Sequence, residues 1–339
     1  MTGPKTLRWD KGQVTMQPRG AMLQGLTIEL QNGRTVNPLH TAPWVATPEA
    51  KTLDGLIQGL SGEWPCIPFG VPQEGQPPEW YAPEGWEDPF AHGYAAHHDW
   101  DVSLDEAGLE ANIRLPIDHP IQSIRRRVQP IQNGIELDLW VNPRRDCMLP
   151  IGLHPVFALP EDPGRMSLDI PGATSVISHP ETPQPDPTPV KPNAISSNLS
   201  CVQGEGDETL DFSLLPRPEN SETRLLVLGG TGQVSLKDRT TGDIFSLTYD
   251  AKTFPFVMLW ISNKGRSTAP WSGRHLALGI EPVCAAFDLG TSVSTTANPL
   301  RSKGYDTAYE FKSGQHFHTR YQIRAQAQSI GARSTPRAK

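Results

Sequence analysis

The amino-acid sequence predicts an all-β fold of mostly antiparallel, twisted sheets with few short helices. Proline and glycine interrupt the 339-residue chain so often, with 34 and 30 residues, that few windows remain for a long helix. Short runs in which apolar and polar residues alternate recur along the chain. This period of two is typical of strands that bury one face.

Alternation marks the individual strands. Apolar residues fall at every second position from Leu109 to Leu115 and again from Ile135 to Val141. The tripeptide Gln132-Asn133-Gly134 before the second run is typical of a tight turn. We therefore predict two strands here, paired in antiparallel fashion.

Two further regions carry the same signal. Strands are predicted over 234–237 and 244–249, and the turn-forming residues 238–243 between them indicate a hairpin. Near the end of the chain, Phe317, Thr319, Tyr321 and Ile323 alternate with polar residues, which predicts a last strand that closes a sheet.

The chain is long enough for two average domains, but large β-sandwiches also use this length for one. Strand signals of similar character continue on both sides of the proline-rich stretch 171–200. We therefore expect a single domain over 1–330, a surface insertion at 171–200 and a C-terminal tail at 331–339. Proline lacks the N–H group that a sheet requires, so the insertion is not expected to supply a central strand.

Composition excludes several function classes. Hydrophobic residues make up 37% of the chain, enough for a core, and the net charge of −7 argues against nucleic acid or an anionic membrane as partner. The first nine residues lack the apolar core of a signal peptide, and no stretch is long enough to span a membrane, so we expect a cytoplasmic protein. The four cysteines lie far apart and predict neither disulfides nor a metal site. We expect no cofactor and no metal, and a monomer or homodimer.

Three segments place an ionisable residue inside an apolar strand: 91–94, 152–157 and 278–283. Leu276, Leu278 and Ile280 share one strand face, so Glu281 points to the opposite face, where Gly279 leaves open space. His154 has a similar setting after Gly152. If the fold brings them together, a carboxylate and a histidine can act as base and acid near neutral pH.

The order of motifs resembles that of the aldose 1-epimerase (galactose mutarotase-like) superfamily over most of the chain. The similar segments are an N-terminal hairpin around 20–23, Ser-Gly-Glu-Trp-Pro-Cys-Ile-Pro-Phe-Gly at 61–70, His-Gly at 92–93, Gly-Leu-His-Pro-Val-Phe at 152–157, the hairpin at 234–249, Gly-Ile-Glu-Pro at 279–282 and Lys-Ser-Gly-Gln at 312–315. The resemblance implies a galactose-mutarotase-type β-supersandwich whose open face binds a carbohydrate.

The resemblance also implies site residues. His154 matches the general acid, Glu281 the general base and His92 a substrate-binding histidine, while Trp260 is a candidate stacking platform. The arginine that family members carry upstream of the His-Gly motif has no counterpart in the stretch 62–64. No aspartate matches the one that many members place between acid and base.

Three functions follow as alternatives. The first is an aldose 1-epimerase that interconverts the α and β anomers of a sugar or a sugar phosphate, for which arginines at 125–127, 144–145, 266 and 274 are candidate phosphate ligands. Of these, Arg274 is nearest in sequence to Glu281 and is predicted to bind substrate. The second is a carbohydrate-binding or regulatory protein without catalysis. The third is a metal enzyme, suggested by His316 with His318 and by His92, His97 and His98.

Overall fold

The computed structural model describes residues 3–71, 77–83, 85–181 and 187–328. The predicted tail at 331–339 lies outside these ranges, as do residues 182–186 of the predicted insertion. The described chain is mostly β structure in antiparallel sheets, as the sequence predicts.

The strands of the described ranges are β1 (Lys5–Trp9), β2 (Gly12–Met16), β3 (Leu23–Glu29), β4 (Thr35–Val36), β5 (Pro65–Cys66), β6 (Asp101–Asp105), β7 (Gly108–Arg114), β8 (Ile121–Ile131), β9 (Gly134–Pro143), β10 (Cys147–Leu149), β11 (Ile151–Leu153), β12 (Val156–Ala158), β13 (Met166–Asp169), β14 (Ala173–Ser178), β15 (Ile195–Ser196), β16 (Val202–Gln203), β17 (Thr209–Leu210), β18 (Leu214–Leu215), β19 (Ser221–Gly229), β20 (Gln233–Asp238), β21 (Ile244–Thr248), β22 (Phe256–Asn263), β23 (Leu276–Cys284), β24 (Tyr309–Phe311) and β25 (Phe317–Gln326).

Helices in the described ranges are few and short. The α-helices are α1 (Gly55–Gln58), α2 (Tyr94–His97) and α3 (Thr291–Thr295), and single 3₁₀ turns occupy Pro48–Thr52, Pro78–Trp80, Leu199–Cys201 and Arg301–Lys303. Within the described residues, no helix has the length and apolar composition needed to cross a membrane.

Two large sheets form the body of the molecule. One has eight strands, in the order β15-β14-β19-β22-β23-β11-β5 with β12 added beside β23. The other has nine, in the order β18-β13-β20-β21-β25-β9-β8-β7-β6. Their facing side chains form one apolar cluster that includes Leu259, Leu278 and Ile280 from the first sheet and Leu137 and Ile323 from the second. Burial of this surface is the main term that holds the sheets together.

The outer face of the eight-stranded sheet is also covered. Met258, Trp260 and Ala277 on this face pack against residues of the flanking loops, among them Trp44 and Phe287, in a second apolar cluster. Because both faces of β22 and β23 are covered, every residue of these two strands is buried. A side chain on the outer face therefore lies in an interior environment, although it lies outside the sandwich core.

Most of the predicted strands are confirmed. β20 pairs with β21 as the expected hairpin, and β25 lies between β21 and β9. The turn before β9 has Asn133 at φ 65°, a left-handed conformation that asparagine tolerates better than most residues.

The predicted pairing of the strands at 109–115 and 135–141 is wrong. β8 lies between β7 and β9 and pairs with both, so β7 and β9 run in the same direction. Arginines at 125–127 hide the alternation of β8 in the sequence. Ile124, Arg126 and Val128 all face the interior, and Arg126 is buried because Glu63 provides an opposite charge.

The predicted insertion at 171–200 needs a correction as well. Ala173–Ser178 forms β14, which lies inside the eight-stranded sheet between β15 and β19. This part of the segment contains no proline, and Val176 and Ile177 are buried. The prolines begin again only after β14 ends, so composition averaged over the whole stretch concealed a strand.

Candidate functional site

A cavity of about 480 Å³ opens on the outer face of the eight-stranded sheet. Its walls combine apolar, aromatic and ionisable side chains. The residues that line it are Leu56, Ile57, Leu60, Trp64, Val71, Ala91, His92, His154, Glu181, Arg224, Met258, Trp260, Arg266, Trp271, Glu281 and Asp288. Its size and mixed lining are typical of a small-molecule site.

Strand pairing brings His154 and Glu281 together. β23 pairs with β11 before His154 and with β12 after it, and the N–H of Ile280 donates to the carbonyl of Pro155 at 2.9 Å. His154 Nε2 lies 3.4 Å from Glu281 Oε1, and both side chains are almost fully buried. The sequence prediction that Glu281 faces away from the core of the sandwich agrees with this placement.

The ring of His154 is fixed by its neighbours. Trp64 stacks on it with ring centroids 4.1 Å apart, and the backbone N–H of His154 donates to the carbonyl of Trp64 at 3.0 Å. The ring of His92 meets it edge-on at 5.0 Å. His154 Nδ1 and Glu281 Oε1 are inaccessible to solvent and form no hydrogen bond within the described chain.

Burial controls the protonation of this pair. It lowers the pKa of His154 well below its ordinary value, and the neighbouring His92 lowers it further. It also raises the pKa of Glu281 well above its ordinary value, with a further increase from the negative charge of Asp288. Both shifts favour uncharged side chains, so the pair is expected to carry one proton near neutral pH.

His92 is presented by a constrained loop. It lies at φ 60° and Gly93 at φ 89°, both in the left-handed region. The Asp88 carboxylate accepts the N–H groups of Phe90 and Tyr94, on either side of His92, at 3.0 and 2.9 Å. Burial lowers the pKa of His92 to about 4, so its ring is neutral at physiological pH. A neutral imidazole has one donor and one acceptor nitrogen for hydrogen bonds with a ligand.

Aromatic rings form another wall of the cavity. Trp260 meets Trp271 edge-on at 5.8 Å and its indole N–H donates to Glu222. Arg266 lies 4.4 Å from the ring centre of Trp271, and its Nη2 is 2.9 Å from Glu222 Oε1. Aromatic faces and edges of this kind suit the C–H surface of a sugar ring.

One cluster beside the cavity was missed by the sequence analysis. Asp288 accepts hydrogen bonds from Arg224 Nη1 at 2.7 Å and from His179 Nε2 at 2.8 Å. Arg224 directly precedes the apolar run 225–228 of β19, so, like Glu281, it is a charged residue beside a buried strand segment. For Asp288 and His179, which lie in loops, the sequence offers no comparable signal.

Four of the five predicted site residues line the cavity, namely His92, His154, Trp260 and Glu281. Arg274 does not. Its guanidinium forms an ion pair with Glu49 and donates to the carbonyl of Pro270, so nearness in sequence to Glu281 did not place it in the site.

The other candidate arginines fall into two groups, according to whether they line the cavity. Arg266 lines the cavity, whereas Arg126 is buried against Glu63. Arg125 stacks on Trp140, Arg127 pairs with Glu110, and residues 144–145 bind backbone carbonyl groups.

The suggested histidine metal sites are not supported by geometry. Within the described ranges, no group of three or more histidine, cysteine or acidic side chains is placed to hold a metal ion. His97 Nε2 and His98 Nδ1 instead hydrogen-bond to the carbonyls of Ala91 and Tyr94. His318 Nε2 lies 2.7 Å from Asp138 on the other sheet.

No protein-family model matches the sequence, and a search of curated proteins finds no significant match. Solved structures, in contrast, match over nearly the whole chain. The Slr1438 protein of Synechocystis sp. PCC 6803 has a TM-score of 0.64 at 13% identity, covering 97% of both chains. A galactose mutarotase-like protein from Lactobacillus casei has a TM-score of 0.61 at 14% identity, covering 96% of this chain and 100% of the other.

A third structure, the GalM/aldose epimerase homologue of Caenorhabditis elegans, has a TM-score of 0.60 at 16% identity and covers 96% of this chain and 99% of its own. Identities this low establish the fold and leave the reaction open. With its two antiparallel sheets and a cavity on the outer face of one of them, the chain has the galactose mutarotase-like fold that the order of its sequence motifs predicts.

Proposed function

We propose that this protein is an aldose 1-epimerase-like enzyme that interconverts the α and β anomers of a sugar. The observation that carries the proposal is the distance of 3.4 Å between His154 Nε2 and Glu281 Oε1 at the cavity wall. The likeness of the whole chain to galactose mutarotase-like structures supports it.

Anomer exchange requires two proton transfers. A base removes the proton of the anomeric hydroxyl while an acid protonates the ring oxygen, so the bond between C1 and the ring oxygen breaks and an open-chain aldehyde forms. After rotation about the C1–C2 bond, the reverse steps close the ring with the other configuration. A pair of side chains that holds one proton between them supplies both functions and is restored at the end of the cycle.

In this mechanism Glu281 is the base and His154 the acid. The buried pair favours the proton on Glu281, and its movement to His154 produces the carboxylate and the imidazolium that the reaction uses. Two neighbours favour that charged form. The face of Trp64 stabilises a cationic ring, and the positive charge of Arg224 lowers the pKa of Glu281 against the larger effect of burial.

The remaining lining residues suit a sugar. Neutral His92 can hydrogen-bond to a hydroxyl group, and Trp260 and Trp271 offer apolar surface to the ring carbons.

Exchange spectroscopy by NMR tests the proposal directly. The rate of α–β exchange is measured for D-glucose, D-galactose and a panel of other aldoses with wild type and with Glu281→Gln. Loss of one acid–base group usually costs a factor of about 10² to 10⁴, so the variant should lose at least a hundredfold in rate. Glu161→Gln, an exposed glutamate paired with Lys264, serves as the matched control.

A wild-type protein that accelerates exchange of no sugar in the panel contradicts the proposal. An active wild type with an equally active Glu281→Gln contradicts the assigned base.

The second candidate is a carbohydrate-binding or regulatory protein without catalysis. It is favoured by the deep burial that keeps His154 uncharged, because a neutral histidine is a poor acid. Under this alternative, adding the protein shifts and broadens the resonances of a sugar but leaves its exchange rate unchanged.

A further inference from the structure

We infer that Arg224, oriented by Asp288 and His179, binds hydroxyl groups of an uncharged sugar, and that the same arrangement selects against phosphorylated sugars. The inference rests on the proposed carbohydrate function and extends it by naming a binding residue and the charge class of the ligand.

Strand register places Arg224 beside the proposed catalytic pair. In the eight-stranded sheet, Arg224 of β19 lies opposite Trp260 of β22, and Trp260 lies opposite Gly279 of β23. Gly279 is two residues from Glu281 and so faces the same side of the sheet. Arg224 and Glu281 therefore line one cavity, with the indole of Trp260 on the strand between them.

Asp288 fixes the guanidinium. Its carboxylate accepts from Arg224 Nη1 at 2.7 Å, and its other oxygen accepts from His179 Nε2 at 2.8 Å. Burial alone would raise the pKa of Asp288, but Arg224 and His179 outweigh it and hold the pKa well below the ordinary value. Asp288 is thus a carboxylate at neutral pH, and its charge balances that of Arg224.

His179 is fixed in turn. Its Nδ1 lies 3.1 Å from both the backbone nitrogen and the carbonyl oxygen of Glu181, and its Nε2 lies 2.8 Å from Asp288. The cluster is a chain of hydrogen bonds that leads from a loop to the cavity wall and holds Arg224 in one orientation.

Arg224 still has donors to offer. A guanidinium carries five N–H groups in a planar fork. Nη1 is directed at Asp288, whereas Nε is inaccessible to solvent and has no hydrogen-bond partner within the described chain. A buried donor without an acceptor costs about 1–3 kcal/mol. Sugar hydroxyl and ring oxygens are acceptors of suitable size.

Charge balance argues for an uncharged ligand. Both arginines among the described residues of the cavity lining already face carboxylates: Arg224 pairs with Asp288, and Arg266 pairs with the buried Glu222. Glu181 and Glu281 add further acidic groups to the same wall. A phosphate ester brings about 1.5 to 2 negative charges, which the described lining residues would leave uncompensated. Hydroxyl groups carry no such cost.

Equilibrium binding measured by NMR tests the inference separately from catalysis. The probes are D-glucose and D-galactose with their 6-phosphates, titrated into wild type, Arg224→Lys, Asp288→Asn and Arg165→Lys. Arg165 provides the matched control because it also pairs with an aspartate, Asp238, but does not line the cavity.

We expect wild type to bind at least one uncharged hexose about tenfold more tightly than its 6-phosphate. Arg224→Lys, which keeps the charge but loses the planar fork, should weaken binding of that hexose about tenfold. Asp288→Asn leaves Arg224 without its counter-charge and should shift the preference toward the phosphate by about tenfold or more. His179→Asn provides a milder version of this change if Asp288→Asn does not fold. Arg165→Lys should bind as wild type does.

Equal or tighter binding of the 6-phosphates by wild type would overturn the inference. Unchanged hexose binding by Arg224→Lys would overturn it too, as would a wild type that binds neither hexose. Binding with the expected preference but without faster anomer exchange would support the inference and contradict the proposed enzymatic function.

Discussion

Trp64 lies nearly parallel to the imidazole ring of His154, with an interplanar angle of 19° and ring centroids 4.1 Å apart. Trp64 is fully buried, and the residue before it in the chain is held by contacts of its own. The preceding residue, Glu63, binds Arg126 and Tyr321 between the two sheets. The position of the proposed acid therefore depends on a polar cluster in the core as well as on the cavity.

Replacing Trp64 by phenylalanine should slow anomer exchange. An aromatic face stabilises a cation by about 0.5 to 2 kcal/mol, and phenylalanine provides a smaller and less favourable face than tryptophan. The imidazolium of Trp64→Phe is then less stable, so a smaller fraction of the pair carries its proton on His154 and kcat should fall by about threefold. Exchange spectroscopy by NMR measures this fall.

Trp140→Phe is the control for this experiment. Trp140 also stacks on a histidine, His318, at 5.0 Å, but on the nine-stranded sheet. The exchange rate of Trp140→Phe should match that of wild type. An unchanged rate in Trp64→Phe would show that the stack only fills space.

The stability of Glu281→Gln should depend on pH relative to wild type. Burial raises the pKa of Glu281 in the folded state above the ordinary value of 4.5. The stabilising effect of the neutral acid is therefore complete below about pH 4.5 and is lost as the pH rises through the folded pKa. Glutamine has the shape of the protonated acid and does not titrate. The Tm of the variant minus that of wild type, measured from pH 4.5 to pH 8, should increase steadily, and a constant difference would contradict a raised pKa.

His40 should contribute to acid destabilisation. Burial lowers the pKa of His40 from 6.5 to about 4, and its ring packs edge-on against His275 at 4.6 Å. The stability that depends on the neutral ring is complete above pH 6.5 and is lost as the pH falls toward 4. Linkage puts this loss at about 3 kcal/mol between the two pH values.

In His40→Gln, the fall in unfolding free energy over this pH range should be smaller by about that amount. Urea unfolding at several pH values measures it, with His316→Gln, at an exposed position, as the control. An unchanged slope in His40→Gln would mean that folding does not lower the pKa of His40.

Arg126→Met should be strongly destabilising. Arg126 and Glu63 are both completely buried, so removing the arginine leaves a carboxylate without its counter-charge in the core. Such a loss costs about 3–5 kcal/mol. Adding Glu63→Gln should recover part of it, and Arg127→Met, which breaks the more exposed pair with Glu110, should cost at most about 1 kcal/mol. Urea unfolding of wild type, the two single arginine variants and the double variant measures these free energies. Similar losses of unfolding free energy in Arg126→Met and Arg127→Met would contradict a special role for the buried pair.

Local patterns in the sequence were sufficient to predict a strand where one of its faces is polar and the other apolar. β7, β20, β21 and β25 were predicted from alternation, and so was the side of the sheet that Glu281 faces. Alternation reports on one strand at a time, however, and does not specify its neighbours. β8 was overlooked between β7 and β9 because a buried arginine looks like a solvent-exposed one in sequence.

The same limit applies to the site. His154 and Glu281 were predicted because each interrupts an apolar strand, and the motif order gave a reason to pair them. Arg224, Asp288 and His179 meet only because a strand and two loops converge in the fold. Arg274 shows the converse case, since seven positions of separation from Glu281 did not bring it into the cavity.

Strand β23 joins the two apolar clusters of the molecule residue by residue. Leu276, Leu278 and Ile280 belong to the core between the sheets, while Ala277 and Glu281 face the cavity side. Successive positions of this strand therefore serve different surroundings, one set packing in the core and the next facing the cavity side. Homologous chains can diverge in the ligand they accept through every second position while the intervening positions keep the protein folded.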